Sequence, residues 1–242
     1  MQMIGFPVLT LTVVLILYVI IKALSGIDMA QRISFFAGLV GGSFFLSSFV
    51  FGYFSSNASG TSFLSLPASH FEKWLCGVLI AGVFYPVVFL IFYYGIDTLF
   101  VAVYHNSLDP ASPFYKQQYE AVYTFDLNGI IARNVFVMFF IYTGAMLVGS
   151  LYFNKVPVIK TAIALCIICV LIFGVNWLFA TLLFGNIDDA APFNHVAVPL
   201  GNDVGSIELP AGVAKICKYA FFYAMPAIFW ILSFTRLREK EF

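Results

Sequence analysis

Long stretches without charge constrain this sequence of 242 residues more than any other feature. Each is close to or longer than the roughly 20 apolar residues that a helix needs to cross the hydrocarbon layer of a membrane. The six stretches are 1–21, 33–71, 74–96, 134–154, 161–187 and 219–235. Inside a bilayer every backbone polar group needs a partner, and a continuous helix provides one within each span. The sequence therefore predicts an all-α integral membrane protein with six transmembrane helices and short interfacial helices in the loops.

The composition supports this prediction. Charged residues make up 10% of the chain and hydrophobic residues 62%, whereas soluble domains are about 25% charged. The 12 basic and 12 acidic side chains give a formal net charge of zero, which does not suit a basic face for nucleic acid. These values exclude a soluble enzyme and a nucleic-acid-binding protein, and they make the lipid bilayer the first expected partner.

We expect a single transmembrane domain over residues 1–242. Its spans are predicted at about 5–22, 33–54, 74–96, 134–153, 161–185 and 219–235. The first span is interpreted as a retained helix rather than a signal peptide. No basic residue precedes it, and its apolar stretch exceeds the length of about 7–15 residues that is usual in signal peptides.

The connections between the spans differ in length and charge. Basic residues divide six to six between the two sides, so they do not decide the orientation. The 3–4 connection (97–133) and the 5–6 connection (186–218) are long and acidic, and long connections cross a membrane largely regardless of charge. We therefore expect both on the outer side. Aromatic residues within 113–123 suit a short interfacial helix, and 196–209 suits a hairpin although Pro199 disfavours a strand.

The segment before the third span carries the most specific local pattern. Ser69 and Glu72 have the spacing of a capping box, in which each side chain accepts a hydrogen bond from the other residue's backbone N–H. Pro67 disfavours a helix that continues from the second span, and Trp74 stands where an interfacial anchor belongs. The candidate segment comprises Leu66, Pro67, Ser69, Phe71, Glu72, Lys73 and Trp74.

Two interpretations of this segment remain open. It is either the capped start of the third span or a short protruding helix that contacts a soluble partner. In the second case Phe71 and Trp74 lie against the bilayer edge or the second span, while Glu72 and Lys73 face water.

Two charges stand at the ends of neighbouring spans. Asp97 follows the third apolar stretch and Arg133 precedes the fourth, on the same side of the membrane. A charge at this depth is unfavourable unless it is paired or hydrated, so it marks a functional position by default. We predict that the two side chains form an ion pair near the outer interface, with separate placement at the interface as the alternative.

Small residues spaced four apart allow helices to approach closely. Gly38 and Gly42 have this spacing in the second span, and Ala145 and Gly149 have it in the fourth. We expect these residues to pack helices together, either within the chain or across a dimer.

No catalytic or cofactor site is predicted from the sequence. The three His residues have no metal-ligand spacing, and no convergent set of His, Asp and Glu suggests catalysis. The sequence also lacks the phosphate-binding pattern G-x-x-x-x-G-K-[ST]. We therefore expect no cofactor, no metal and no enzymatic activity in this chain.

Four stretches, 36–45, 64–75, 149–155 and 236–242, follow one another on the six predicted spans. Together they resemble the membrane subunits of type-2 ATP-binding-cassette exporters in their small six-span form. The stretch 64–75 is similar to that family's "LPxS" segment between the second and third spans. The other three resemble its second span, the end of its fourth span and its charged C-terminus. The resemblance covers most of 30–242, although family members usually have a longer cytoplasmic stretch before the first span.

This resemblance implies a location and partners. It places the chain in the cytoplasmic (inner) membrane, with both termini and the 2–3 connection in the cytoplasm. It implies pairing with a second copy or a related permease, and docking of separate ATP-binding-cassette ATPase subunits on the 2–3 connection. The chain would then be the membrane-spanning subunit of an ATP-driven exporter. A non-transport scaffold subunit of an envelope complex is the alternative, and an intramembrane enzyme is disfavoured by the lack of a catalytic set.

Overall fold

The computed structural model describes residues 2–52, 67–153, 155–185, 187–192, 195–200, 203–208 and 210–239. Leu66 of the candidate segment lies outside the described residues, as do 64–65, 154 and 240–242 of the stretches that carry the family resemblance. Within these ranges six helices are long and apolar enough to cross a membrane. This confirms the predicted fold class of a helical, multi-pass membrane protein.

The six long helices make up most of the fold. They are α1 (Gln2–Ser25), α2 (Ile27–Phe36 with Gly42–Val50), α3 (His70–Leu79 with Tyr85–Asn106), α5 (Ile130–Tyr152), α6 (Pro157–Phe184) and α7 (Ala211–Tyr219 with Met225–Arg238). In α2, α3 and α7 the two stretches are joined without interruption by π-helical turns at Ala37–Gly41, Ile80–Phe84 and Ala220–Ala224. A short helix, α4 (Tyr115–Glu120), lies in the 3–4 connection as predicted.

The first two helices are joined by one residue. α1 ends at Ser25 and α2 begins at Ile27, so the predicted connection at 23–32 is wrong. Asp28 and Arg32 lie within that predicted connection and form an exposed ion pair one helical turn apart on α2 (3.0 Å). Gly26 makes the reversal with φ 87° and ψ 177°, a conformation that is essentially restricted to glycine.

α3 is the longest helix, with 37 residues, and continues past the predicted end of its span at 96. Asp97 does not end the helix because neighbouring residues satisfy its carboxylate, as described below. Trp74 and Asp97 are separated by about 35 Å along a helix, close to the hydrocarbon thickness of about 30 Å. We call the two ends of the bundle the Trp74 end and the Asp97 end. α7 likewise begins at Ala211 rather than near 219.

α2 and α5 form the centre of the bundle. In each of them 61% of the most apolar segment is buried, against 6% in α6. α2 runs antiparallel to α1, so the ring of Phe6 contacts that of Phe49 (5.5 Å between centroids). Large buried side chains lie between the central helices and their neighbours: Tyr18, Phe35, Leu39, Tyr85, Phe89, Tyr93 and Phe139. The outer faces of α1 and α6 carry exposed apolar side chains, which suits helices that face lipid.

Gly38 and Gly42 bring α2 close to α3. A side chain at Gly38 would overlap the ring of Phe89, and one at Gly42 would overlap the Tyr85 hydroxyl. That hydroxyl donates to the Gly38 carbonyl (2.6 Å). The glycine pair therefore serves packing within the chain.

Small residues of α5 lie where it contacts α6 and α7. Ala145 is buried, and a side chain at Gly149 would overlap Thr161 at the start of α6. Gly144, which the sequence interpretation did not single out, accommodates the indole of Trp230 from α7. A flat aromatic ring can approach the backbone of α5 only where the Cβ atom is missing.

The 5–6 connection contains a three-stranded antiparallel sheet. Its strands are β1 (Asp189–Ala191), β2 (His195–Leu200) and β3 (Asp203–Glu208), in the order β1-β2-β3. This confirms the expected hairpin and adds β1. Pro199 is tolerated because β2 pairs with β1 only as far as Ala197, which leaves one free edge beside the proline. The Asn176 side chain of α6 donates to the Ala190 carbonyl (3.0 Å) and so fixes the sheet to the bundle.

Candidate functional site

A complete capping box shapes the start of α3, as predicted. The backbone N–H of Glu72 donates to Ser69 Oγ (3.2 Å), and the backbone N–H of Ser69 donates to Glu72 Oε2 (2.7 Å). Ser69 has extended backbone angles, and Pro67 and Ala68 form a bend before it. The first turn of the helix is therefore fixed by its own sequence. We call residues 67–72 the capped turn.

Trp74 attaches the capped turn to α7. Its indole N–H donates to Ser233 Oγ (2.8 Å), and that hydroxyl donates to the Trp230 carbonyl (2.7 Å). The ring of Phe234 lies 5.6 Å from Trp74 and 6.1 Å from Phe71, between centroids. Phe71 and Trp74 were expected against the bilayer edge or the second span. They instead contact α7, whose C-terminal part returns to this end of the bundle.

Lys73 corrects the sequence interpretation of this segment. It was expected to face water, but only 7% of it is exposed. The cause is helical periodicity, because Lys73 precedes Gly77 by four residues and lies on the same face of α3. A side chain at Gly77 would meet Val50 and Phe51, so this face is directed toward α2.

The capped turn is not a separate short helix. α3 continues from it without interruption to Asn106, so the turn is the first part of the third membrane helix. The exposed residues of the turn are Pro67, Ala68, Ser69, His70, Phe71 and Glu72. Phe71 is 53% exposed although it contacts α7, so the turn offers an apolar ring beside a carboxylate.

Buried apolar side chains from three further helix ends support α3 at this position. The cluster consists of Val50, Phe51, Leu147, Leu151 and Leu237, with Ala81 of α3 itself. Because α2, α5 and α7 all contribute, the start of α3 is clamped on its inner side and open on its outer side. That arrangement suits a rigid contact surface rather than a catalytic pocket.

Asp97 is the centre of the opposite end. It is 2% exposed. Its Oδ1 accepts hydrogen bonds from the Tyr18 hydroxyl (2.8 Å) and from Gln31 Nε2 (2.9 Å), and its Oδ2 accepts one from the backbone N–H of Phe125 (2.7 Å). All three neighbours donate to the carboxyl oxygens, so both oxygens of the buried side chain have partners. The contacts join α1, α2, α3 and the 3–4 connection.

Gln31 extends this network. Its Nε2 also donates to the Tyr123 carbonyl (2.8 Å), and its own backbone carbonyl accepts from the Tyr93 hydroxyl (2.7 Å). Buried networks in which every polar group is satisfied hold their helices in one arrangement. The Asp97 end is therefore a fixed junction.

The predicted ion pair between Asp97 and Arg133 does not form, although the structure describes both residues. Ala132 and Val135 face the core of the bundle, and Arg133 therefore points away from it and is exposed. Asp97 obtains three neutral donors instead of a cation.

The sequence interpretation missed Tyr18 and Gln31. Both are polar residues within or beside apolar stretches, and polar side chains at such positions commonly form interhelical hydrogen bonds. That signal could have identified them. The Phe125 contact is made by a backbone N–H, which no residue type reveals.

The described residues contain no cluster of His, Cys, Asp and Glu that could hold a metal ion. No protein-family model, curated protein or solved structure matches this chain. Function must then be inferred from the sites themselves.

Proposed function

We propose that this chain is the membrane-spanning subunit of an ATP-driven exporter, and that a separate ATPase subunit docks on the capped turn. The observation that carries the proposal is the combination, at one end of α3, of an exposed surface and a rigid attachment. The Ser69–Glu72 capping box holds the surface, and the bond from Trp74 to Ser233 attaches it to α7.

The chemistry of the turn suits contact with a soluble protein. Phe71 offers a half-exposed ring, with Glu72 and His70 beside it. Aromatic side chains surrounded by polar ones are typical of the few residues that contribute most of the binding energy at protein interfaces.

The attachment would carry movement into the membrane. A partner that displaced the capped turn would move the whole of α3, because the helix is continuous from His70 to Asn106. It would also move α7 through Trp74 and Phe234. Packed side chains and rigid helices of this kind can carry coupling between distant sites.

The partner would have to supply the nucleotide chemistry, since the sequence has no phosphate-binding loop. The resemblance of 64–75 to the "LPxS" segment supports docking at this position, because Pro67 and Ser69 belong to both the motif and the capped turn. Pairing of two chains in the cytoplasmic membrane is part of the same proposal.

Purification of the tagged chain from its native host in mild detergent tests the proposal. We expect a protein with a phosphate-binding loop to co-purify and the complex to hydrolyse ATP. Phe71→Ala should reduce the recovered ATPase on the order of tenfold, the effect of removing an interface anchor. Phe114→Ala is the matched control, because Phe114 is 61% exposed but lies in the 3–4 connection.

Glu72→Gln separates docking from helix stability. Glutamine can also complete a capping box, so this variant removes the charge and keeps the cap. Reduced ATPase recovery with an unchanged thermal stability would support a docking role for the carboxylate. Equal recovery in wild type, Phe71→Ala and Glu72→Gln would refute docking at the capped turn.

A scaffold role is the second candidate, and the sheet in the 5–6 connection favours it. β3 is an edge strand, and its Ile207 is 47% exposed. An exposed edge can accept a strand from another protein. Recovery of an envelope protein without any ATPase in the same purification would support this candidate over the exporter.

A further inference from the structure

A groove between α6 and α7 combines an apolar wall with two cations. It has a volume of about 600 Å³, within the range of roughly 300–1,000 Å³ that is usual for ligand clefts. Ile172 and Phe173 of α6 form one wall, and Phe221 and Phe222 of α7 form the other. Both helices are long and apolar enough to cross a membrane, and Pro192 of the 5–6 connection also lines the groove.

Lys215 and Lys218 are the only charged residues among those that line the groove. They are three positions apart in the first stretch of α7 and so lie on one face of the helix. Both are exposed, and neither forms an ion pair with any residue of the described ranges. The groove therefore combines two cations with a mostly apolar lining.

We infer that this groove binds a membrane lipid with an anionic phosphate headgroup. The two ammonium groups would hold the phosphate, and an acyl chain would lie between the aromatic rings. Charge complementarity selects an anionic lipid over a zwitterionic one, because each basic side chain near an anionic lipid surface contributes attraction. The inference does not depend on the proposed transport role.

Native mass spectrometry of the full chain in detergent can measure binding of the first added lipid. Phosphatidylglycerol and phosphatidylcholine are the probes. We expect tighter binding of phosphatidylglycerol, and a loss of about fivefold for each of Lys215→Gln and Lys218→Gln, which corresponds to about 1 kcal/mol per cation. Phosphatidylcholine affinity should stay constant. The double variant Lys215→Arg with Lys218→Arg should retain the preference, because it keeps both charges.

Two further variants localise the site. Ala214→Trp fills the groove from α7 and should weaken both lipids. Lys116→Gln removes another exposed lysine, in the 3–4 connection, and should leave both affinities within twofold of wild type. Only variants whose melting temperature and monodispersity match those of the wild type enter the comparison.

Three results would overturn the inference. One is phosphatidylglycerol binding within twofold of wild type when both lysines are replaced by Gln. Another is an equal loss in Lys116→Gln, which would indicate attraction to any surface charge. The third is complete displacement of the lipid by inorganic phosphate alone, which would show that the apolar walls contribute nothing.

Discussion

The two ends of the bundle are held by different chemistry. At the Asp97 end a buried carboxylate gathers donors from three elements, namely α1, α2 and the 3–4 connection. At the Trp74 end one indole–hydroxyl bond and a set of rings join α3 to α7, while residues 67–72 remain exposed. One end turns a carboxylate and its donors inward, and the other offers an exposed turn.

This difference separates stability from docking. A buried carboxylate with three donors is costly to disturb, because each donor left alone loses its partner away from water. Substitutions of exposed side chains on a capped turn change the free energy of unfolding little. Substitutions at the Asp97 end should therefore act on stability, and those on the outer side of the capped turn should act on partner binding.

Removal of the Asp97 carboxylate gives the largest expected effect. Asp97→Leu leaves the Tyr18 hydroxyl and the Phe125 N–H without an acceptor, while Gln31 keeps its bond to Tyr123. An unsatisfied buried donor costs about 1–3 kcal/mol; the Tyr18 hydroxyl is buried and the Phe125 N–H is part-buried, so we expect a loss of about 1–6 kcal/mol in the free energy of unfolding. Thermal unfolding of the purified chain in detergent measures it.

Asp28→Ala is the control for that experiment. Asp28 lies at the same end but forms an exposed ion pair with Arg32, and such a pair contributes only about 0.3–0.5 kcal/mol. Similar melting temperatures for Asp97→Leu and Asp28→Ala would mean that water reaches Asp97 and that the junction is not locked.

The hairpin at Gly26 should give the next largest effect. Gly26→Ala places a Cβ atom in open space, so its cost is purely that of the backbone conformation, about 1–3 kcal/mol. Gly95→Ala is the matched control, because Gly95 is also surrounded by open space but lies within α3. That change should be neutral or stabilising. A melting temperature for Gly26→Ala equal to that of Gly95→Ala would show that the reversal tolerates other conformations.

The sequence predicts the helices well and their junctions poorly. Apolar stretches identify all six long helices, because a bilayer leaves few alternatives. Charges mislead where they lie inside helices, as Asp28 and Arg32 do in α2 and as Asp97 does in α3. Asp28 and Arg32 are satisfied by each other within one helix, whereas Asp97 is satisfied only by tertiary contacts that its local sequence does not reveal.

The capped turn was predictable because its interactions are local. Ser69 and Glu72 are three residues apart, and their reciprocal bonds follow from that spacing alone. The contacts of Trp74 with Ser233 and of Asp97 with Tyr18 join residues far apart in the sequence. A pattern within one helix gives the face of each residue but not the identity of its partner.

Ser69→Ala tests the cap at the Trp74 end and should have a smaller effect. The Glu72 N–H loses its acceptor but stays exposed to water, and loss of such a cap costs about 0.5–2 kcal/mol. The melting temperature of Ser69→Ala should therefore fall less than that of Asp97→Leu. A larger fall would mean that the capped turn, and not the buried carboxylate, is the main lock of the fold.

The smallest predicted effect is a stabilising one, at Val156. It lies at the Trp74 end, between α5 and α6, with φ 52° and ψ 55°. A β-branched residue is unfavourable in this left-handed conformation by roughly 1–2 kcal/mol. Its side chain is 55% exposed, so little burial is lost on truncation. Glycine relieves the strain but adds freedom to the unfolded chain, which offsets roughly 0.5–1 kcal/mol. Val156→Gly should therefore raise the stability by up to about 1.5 kcal/mol.

Val170→Gly is the control for that change. Val170 is an exposed valine within α6, where glycine weakens a helix, so its melting temperature should fall. Opposite shifts in the two variants would show that the backbone at Val156 is strained. A lower melting temperature in both variants would mean that valine is not strained in the backbone conformation at position 156. In that case Gly26, at the Asp97 end, would be the one position of the two at which the backbone conformation requires a particular residue.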